Sequence, residues 1–242
     1  RSFMKRGKLK IFIIFIIVLL CIIYYNRYFF YQFLPVQSDE NYSIRDEVMI
    51  NNESQKPYTG RLKTDLGDRI EIYSYKNGLL DGVNVVYKNG KIKEIGHWKN
   101  NLQNGVFKLY TEEGILIDDA VFKDGNRNGI TKQYYNDTGN LHIEAYYVEG
   151  LLHGKVKEYY QNKKLLSEIN YSSGKINGLA QEYYENGRKK VEMYYENNIP
   201  KGSYKMYDSV GQIQLEGTFE NGKFSPISET DTDKIILEEV EE

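Results

Sequence analysis

Residues 178–202 read GLAQEYYENGRKKVEMYYENNIPKG and place two tyrosine pairs and a central Asn-Gly between two glycines. Asn-Gly between strand-like segments is a strong signal for a β-hairpin with a two-residue turn. Such a turn sets which residues face each other across the strands. The predicted pairs are Glu185 with Arg188, Tyr183 with Lys190, Gln181 with Glu192 and Gly178 with Tyr195. The last pair places an aromatic ring where it can cover a strand glycine.

The same pattern recurs along most of the chain. Glycines stand 22 to 25 residues apart at Gly60, Gly82, Gly105, Gly129, Gly154, Gly178 and Gly202. Five residues after each glycine except the first, which has Asp65, comes a tyrosine: Tyr87, Tyr110, Tyr134, Tyr159, Tyr183 and Tyr207. Seven residues before each next glycine comes an aromatic residue: Tyr75, Trp98, Phe122, Tyr147, Tyr171 and Tyr195. Phe219 occupies the same position in the last unit, although no glycine follows it at position 226. Three residues after each of these aromatic residues stands Gly or Asn, which tolerate positive φ, so we expect a turn between successive hairpins.

This register predicts further cross-strand pairs. The residue three after each glycine faces the residue fourteen after it, with an adjustment for longer and shorter units: Lys108–Asp119, Lys132–Glu144, Lys157–Glu168, Gln181–Glu192, Lys205–Glu216 and Val85–Ile95. Such pairs contribute about 0.2–1 kcal/mol each and support the register. Because a single hairpin is not stable alone, the sequence predicts an all-β repeat array, an elongated antiparallel β-meander of about seven stacked hairpins.

The distribution of charge argues against nucleic-acid binding. The chain has 242 residues and a formal net charge of −2, and its six basic residues within 1–27 have no acidic counterpart there. Residues 28–242 therefore carry −8, which is not the basic surplus that phosphate neutralisation requires. The single cysteine, Cys21, excludes an intramolecular disulfide framework and a CxxC metal site.

An N-terminal apolar segment predicts a membrane anchor. Residues 11–25 are uncharged and almost wholly apolar, and extension through residue 33 supplies the length that a bilayer requires. A cleaved signal peptide is the alternative, but the small residues that precede a cleavage site are missing. We expect a basic cytoplasmic N-terminus (1–10), a transmembrane signal anchor (11–33), a polar linker (34–56) in which residues 48–50 could form a capping strand, extracytoplasmic repeats (57–225) and an acidic tail (226–242).

The repeated units resemble MORN (membrane occupation and recognition nexus) repeats, particularly the bacterial variant found in toxin–antitoxin-type antitoxin proteins. The resemblance rests on GLAQEYYENGRKKVEMYY (178–195), PYTGRLKTD (57–65) and YKNGLLDG (75–82), and it covers residues 57–225. The chain departs from the pattern at Asp65, at Asn162-Lys163 and at Asn198. The resemblance implies a β-meander sheet that serves as a binding platform.

No catalytic or metal constellation is evident in the sequence. His97, His142 and His153 occupy different phases of the repeat, so we expect neither a metal site nor a cofactor. The recurring tyrosines can be packing residues, or one aromatic face can bind a partner, since tyrosine is favoured at interfaces. The candidate contact residues are Trp98 as anchor with His97, Phe122, Tyr147, Tyr171 and Tyr195.

The leading functional hypothesis is a non-enzymatic, membrane-anchored platform, antitoxin-like or a scaffold, that binds a protein partner at the cell envelope. The second hypothesis is that the sheet binds lipid headgroups or cell-wall glycan. An enzyme is the third, and a closed pocket with convergent polar groups would favour it. The sequence leaves the binding face and the oligomeric state open.

Overall fold

The computed structural model describes residues 36–227. The predicted cytoplasmic segment (1–10), the predicted anchor (11–33) and residues 228–242 of the predicted acidic tail lie outside these residues. Within residues 36–227, no helix has the length and apolar character needed to cross a membrane.

The described residues form β-strands joined by turns and short loops, as the repeat pattern predicts. Eighteen strands, β5 to β22, follow each other in an antiparallel meander; β1 adds to β5 in parallel, and β2 to β4 form a separate three-stranded sheet. The strands are β1 (Gln37–Ser38), β2 (Tyr42–Arg45), β3 (Val48–Asn51), β4 (Lys56–Pro57), β5 (Gly60–Asp65), β6 (Arg69–Lys76), β7 (Leu79–Leu80), β8 (Gly82–Lys88), β9 (Lys91–Lys99), β10 (Leu102–Tyr110), β11 (Leu116–Lys123), β12 (Asn126–Arg127), β13 (Gly129–Tyr134), β14 (Leu141–Val148), β15 (Leu151–Leu152), β16 (Gly154–Tyr159), β17 (Leu165–Ser172), β18 (Lys175–Tyr183), β19 (Lys189–Glu196), β20 (Ile199–Tyr207), β21 (Ile213–Glu220) and β22 (Lys223–Pro226).

The predicted pairing of repeat glycines with aromatic residues is confirmed in all seven hairpins. Each repeat glycine faces the predicted aromatic residue, from Gly60 opposite Tyr75 to Gly202 opposite Phe219. All six predicted cross-strand pairs, from Val85–Ile95 to Lys205–Glu216, are also present. Side chains alternate between the two faces of a strand, so a shift of the pairing by one residue would move every side chain to the opposite face. The sequence pattern therefore fixes the register.

The prediction of a two-residue turn at Asn186-Gly187 is wrong. Strand pairing shifts by one residue at Tyr183, which faces Lys189 rather than Lys190. The amide of Tyr184 donates to the carbonyl of Arg188 at 2.8 Å and closes a three-residue loop, so Arg188 does not face Glu185 as predicted. Only Gly187 of this loop has positive φ (89°), whereas a type I′ turn needs positive φ at both central residues.

Two-residue turns lie at the junctions between units, where the sequence predicts Gly or Asn, and at Asn89-Gly90 in the β8–β9 hairpin, where Lys88 faces Lys91. Both central residues have φ between 49° and 84° at all seven junctions, from Asn77-Gly78 to Asn221-Gly222. At Asn198, φ is 70° and the side-chain oxygen accepts a hydrogen bond from the amide of Ile176, near the start of β18, at 2.7 Å. Asparagine therefore replaces glycine here without loss of the turn and adds a contact between units.

A tyrosine ladder joins three pairs of neighbouring units at the hairpin-loop edge. The hydroxyls of Tyr135, Tyr160 and Tyr184 each donate to a backbone carbonyl of the next unit at 2.7 Å. The accepting carbonyls belong to Tyr159, Tyr183 and Tyr207. The second member of each tyrosine doublet therefore fastens one hairpin to the next, a role that the sequence analysis did not foresee.

The predicted polar linker, residues 34–56, contains β1 to β3 and the start of β4. Its strand β3 contacts the first junction turn, where the amide of Met49 donates to the carbonyl of Gly78 at 2.8 Å. Met49 is buried, and the Tyr58 ring packs against Tyr42 with centroids 4.5 Å apart. Apolar residues within a mostly polar segment thus form a cap on the first hairpin, as the possible strand at residues 48–50 suggested.

Candidate functional site

Side chains alternate between the two faces of the sheet, and the two faces differ sharply in chemistry. We name the charged face by the row Lys108, Asp119, Lys132, Glu144, Lys157, Glu168, Gln181, Glu192, Lys205 and Glu216. We name the aromatic face by the row Tyr75, Trp98, Phe122, Tyr147, Tyr171, Tyr195 and Phe219. Each row runs across successive strands. The charged face also carries the exposed rings of Tyr146 and Tyr194, and the aromatic face also carries the carboxylates of Glu71, Glu94 and Asp118.

On the charged face, the predicted pairs continue from one hairpin to the next. Asp119 faces Lys132, and Glu144 faces Lys157, across unit boundaries. Nitrogen-to-oxygen distances of 3.0 Å for Lys108–Asp119 and 2.8 Å for Lys205–Glu216 show ion pairs. The lysines of this row are therefore engaged with acidic neighbours, and such exposed pairs contribute modestly to stability.

The aromatic face carries a continuous row of half-exposed rings. Each ring has a repeat glycine on one neighbouring strand and, on the other, a residue from the set Leu80, Gln103, Arg127, Leu152, Ile176, Pro200 and Phe224. Successive rings stand two strands apart, which corresponds to about 9.6 Å. Ala120 and Ala145 lie buried next to this row, and the rings therefore form the accessible part of the face.

The structure brings five of the six predicted contact residues into one row. Trp98, Phe122, Tyr147, Tyr171 and Tyr195 each face a repeat glycine, and all are half-buried. The sixth residue, His97, faces Val83 and lies on the charged face. Adjacent residues of a strand point to opposite faces, so His97 and Trp98 do not form a joint anchor.

The Trp98 ring covers a glycine other than the predicted one. It lies against Gly96, where an added Cβ would be 3.0 Å from the indole Nε1 and 3.5 Å from the Phe107 ring. The space beside Gly82, the glycine opposite Trp98, is filled by Ser74 of the preceding strand. The indole Nε1 is buried and has no hydrogen-bond partner among the described residues.

Arg127 is a contact residue of the aromatic face that the sequence analysis missed. Its guanidinium lies 5.3 Å from the centroid of Phe122 and 6.0 Å from that of Tyr147. It also donates to both carboxylate oxygens of Asp118, at 2.7 and 3.4 Å. The sequence did contain a signal for this contact: among the residues two positions after a junction turn, which face the aromatic row, Arg127 is the one basic residue.

Burial perturbs several ionisable groups on the aromatic face. It raises the pKa of Tyr73 to about 12, with a further contribution from the neighbouring Glu71 carboxylate. It also raises the pKa of Tyr75 and Tyr195, so their hydroxyls remain protonated hydrogen-bond donors at neutral pH. The pKa of the Glu94 carboxyl is raised as well, chiefly by burial.

Two shallow depressions lie along the junction-turn edge of the last two hairpins. One has a volume of about 640 Å³ and is lined in part by Gly178, Tyr194 and Tyr195. The other, of about 500 Å³, is lined in part by Pro200 and Phe219. Both are open to solvent, and within residues 36–227 no three His, Cys, Asp or Glu side chains are grouped as metal ligands would be.

Comparison with known proteins identifies three of the repeated stretches. The MORN repeat variant family matches residues 85–100, 152–173 and 176–197. The first of these segments contains the β8–β9 hairpin turn and Trp98, and the other two contain the hairpins in which Tyr171 and Tyr195 face glycines. No curated protein matches the chain. The β-hairpins of this chain therefore include MORN repeats of the variant type.

Proposed function

We propose that this chain is a binding platform that recruits a protein partner through its aromatic face. The observation that supports the proposal is the row of half-exposed rings, repeated at a constant spacing along the meander. Rings of Tyr, Trp and Phe provide large contact area at low entropic cost and are enriched in protein interfaces. A repeat array offers such a surface over a long distance without needing a closed pocket.

The charged face suits this role less well. Its lysines and acids neutralise each other along the row, as Lys108 with Asp119 and Lys205 with Glu216 show. A partner would have to displace these ion pairs, and anionic lipid headgroups would meet few free lysines. The charged face therefore acts mainly to hold the register and to keep the array soluble.

We further propose that the platform is held at the cell envelope. The apolar segment 11–33, with basic residues before it, would serve as a signal anchor that leaves the repeats on the extracytoplasmic side. An antitoxin-like or scaffolding role is the finer form of the proposal. It rests on the resemblance to the antitoxin-type MORN variant.

The test is in-cell cross-linking of the full-length protein, followed by mass spectrometry of what co-purifies. The variant Tyr147→Ala removes a ring from the aromatic face, and its matched control is Tyr146→Ala, which removes an exposed ring from the opposite face. We expect a near-stoichiometric partner that is lost with Tyr147→Ala and kept with Tyr146→Ala. Equal recovery with both variants, or no partner at all, would contradict the proposal.

Binding of cell-wall glycan is the second candidate. A regular spacing of about 9.6 Å between rings would let a linear polysaccharide stack sugar rings on several aromatic residues in register. Co-sedimentation of the full-length protein with isolated cell wall distinguishes the candidates. Wall binding that is lost with Tyr147→Ala, without a captured protein, would favour the glycan.

A further inference from the structure

Arg127 shows how the aromatic face holds a cation. Its guanidinium lies over Phe122, 5.3 Å from the ring centroid, and pairs with Asp118, which stands four residues before that ring on the same face. Asp118, Phe122 and the guanidinium thus form a compact site of carboxylate, aromatic ring and cation. Planar guanidinium groups combine ring stacking with bidentate pairing to carboxylates, and an ammonium does not.

The same carboxylate-and-ring pair occurs in two preceding hairpins. Glu71 stands four residues before Tyr75, and Glu94 stands four residues before Trp98. Glu71 is neutralised by Arg69, with nitrogen and oxygen 2.6 Å apart. Glu94 has no ion pair within the described residues.

The hairpin of Glu94 has no arginine in the position that Arg127 occupies beside Asp118. The residue that faces Trp98 from the following strand, in the place of Arg127, is Gln103. Glu94 is flanked by Val86 and Leu109 on the neighbouring strands, so its direct neighbours offer no charge. Arg69 acts on it from a distance, while this arginine is hydrogen-bonded to Glu71.

Glu94 is therefore a half-buried carboxylate on the same face as Trp98, and only Gly96, against which the indole lies, stands between them on that face. Burial raises the pKa of Glu94. Partial burial of a carboxylate without a cation costs stability, and the raised pKa reflects this cost. Carboxyl groups with perturbed pKa values cluster at functional sites. At the two comparable positions, the chain itself supplies the cation: Arg127 pairs with Asp118, and Arg69 pairs with Glu71.

We propose that Glu94 and Trp98 form an arginine-binding site, in which a guanidinium from a partner protein stacks on the indole and pairs with the carboxylate as Arg127 does with Asp118. This inference rests on the proposed protein-binding function and states the chemistry of the partner: a segment that presents an exposed arginine to the aromatic face. A choline headgroup would place a cation on the ring but has no N–H to donate to Glu94. An arginine satisfies both groups.

Trp98 is the only tryptophan of the chain, so its fluorescence reports directly on the site. The full-length protein is titrated with a blocked six-residue peptide of alternating glycine and arginine. The matched probe has citrulline in place of arginine, which keeps the shape and removes the charge. Phosphatidylcholine vesicles serve as the lipid probe.

We expect a saturable change of Trp98 emission with the arginine peptide alone. The variant Glu94→Gln should weaken this binding about tenfold, as loss of a charged hydrogen bond predicts. The control Glu185→Gln removes the same charge at an exposed hairpin loop and should leave binding unchanged. Equal binding of the citrulline peptide or a response to the vesicles would overturn the proposal, as would equal affinity of Glu94→Gln and wild-type protein.

The cross-linking experiment separates this inference from the proposed function. A partner that is lost with Tyr147→Ala and kept with Glu94→Gln would retain the platform and refute the arginine site. A partner lost with both variants supports both proposals. Absence of any partner refutes the platform, while the peptide titration still decides whether the site binds arginine.

Discussion

Removal of one hydroxyl from the tyrosine ladder should loosen a single boundary between repeats. Tyr160 donates to the carbonyl of Tyr183 at 2.7 Å, from a half-buried ring that Phe would preserve. Tyr160→Phe therefore removes one hydrogen bond and little packing, and we expect a loss of about 0.5–1.5 kcal/mol in the free energy of unfolding. With a urea dependence of about 2 kcal/mol per molar, the midpoint should fall by about 0.5 M.

The adjacent tyrosine provides the control. Tyr159→Phe removes a hydroxyl for which the structure shows no hydrogen-bond partner within the described residues, so its unfolding midpoint should stay near that of the wild-type protein. Because ladder bonds are one repeat apart, their losses should add, and the triple Phe variant of Tyr135, Tyr160 and Tyr184 should lose about 3 kcal/mol.

Urea unfolding is followed by circular dichroism for the whole sheet and by Trp98 fluorescence for the early hairpins. A weakened boundary lets the units beyond it unfold first, because repeat arrays depend on nearest-neighbour contacts. The circular dichroism midpoint of Tyr160→Phe should therefore fall further than its fluorescence midpoint. Identical unfolding of Tyr160→Phe and Tyr159→Phe would refute the ladder as a source of stability.

Four further predictions concern backbone strain and charge. Lys163 has φ of 68° in a hairpin loop where other units have glycine, so Lys163→Gly should raise the free energy of unfolding by about 0.5–1 kcal/mol in urea titrations. Gly178→Ala should lower the thermal midpoint more than Gly202→Ala, because a Cβ at Gly178 (φ 111°) meets a side-chain carbon at 3.3 Å and one at Gly202 (φ 75°) meets nothing within 4 Å. Glu94→Gln should stabilise the protein at pH 7, since its raised pKa makes the ionised form destabilising, and the gain should vanish below the unfolded pKa near 4.5. Glu192→Gln should have the opposite effect at pH 7, because hydrogen bonds, chiefly from Lys189, lower the pKa of Glu192, and this stability disappears as the pH falls through the lowered value.

Unfolding midpoints measured between pH 3 and 8 test the charge predictions, and two outcomes would contradict the reasoning. A destabilised Glu94→Gln protein at pH 7 would show that the carboxylate already has a cation in the folded chain. For Lys163, no gain with glycine would mean that the lysine side chain compensates for the strain of its backbone.

The register could be read from the sequence because it is periodic. Gly178 and Tyr195, or Lys205 and Glu216, recur at spacings that only one pairing satisfies, and seven repetitions reinforce each other. The geometry of the hairpin loop at Asn186-Gly187 was harder to predict from the sequence, because Asn-Gly is compatible with more than one loop geometry. A one-residue bulge beside Tyr183 decided between them.

The candidate site was predicted in part for the same reason. Trp98, Tyr147 and Tyr171 shared a phase and therefore a face, while His97 was grouped with Trp98 only by adjacency. The Arg127–Asp118 pair joins two residues nine positions apart around a junction turn, and it depends on how far a long side chain extends over the neighbouring strand. No periodic pattern encodes that reach.

The sequence by itself determined which glycine faces which aromatic residue, which face carries the aromatic row and where the chain turns between units, because strand periodicity and glycine conformation are local properties. Tertiary structure alone decided what joins one unit to the next. The ladder hydroxyl of Tyr160, the cap residue Met49 and the guanidinium of Arg127 each find a partner outside their own hairpin. Such contacts depend on the stacking of neighbouring hairpins, which places groups together that no single repeat contains.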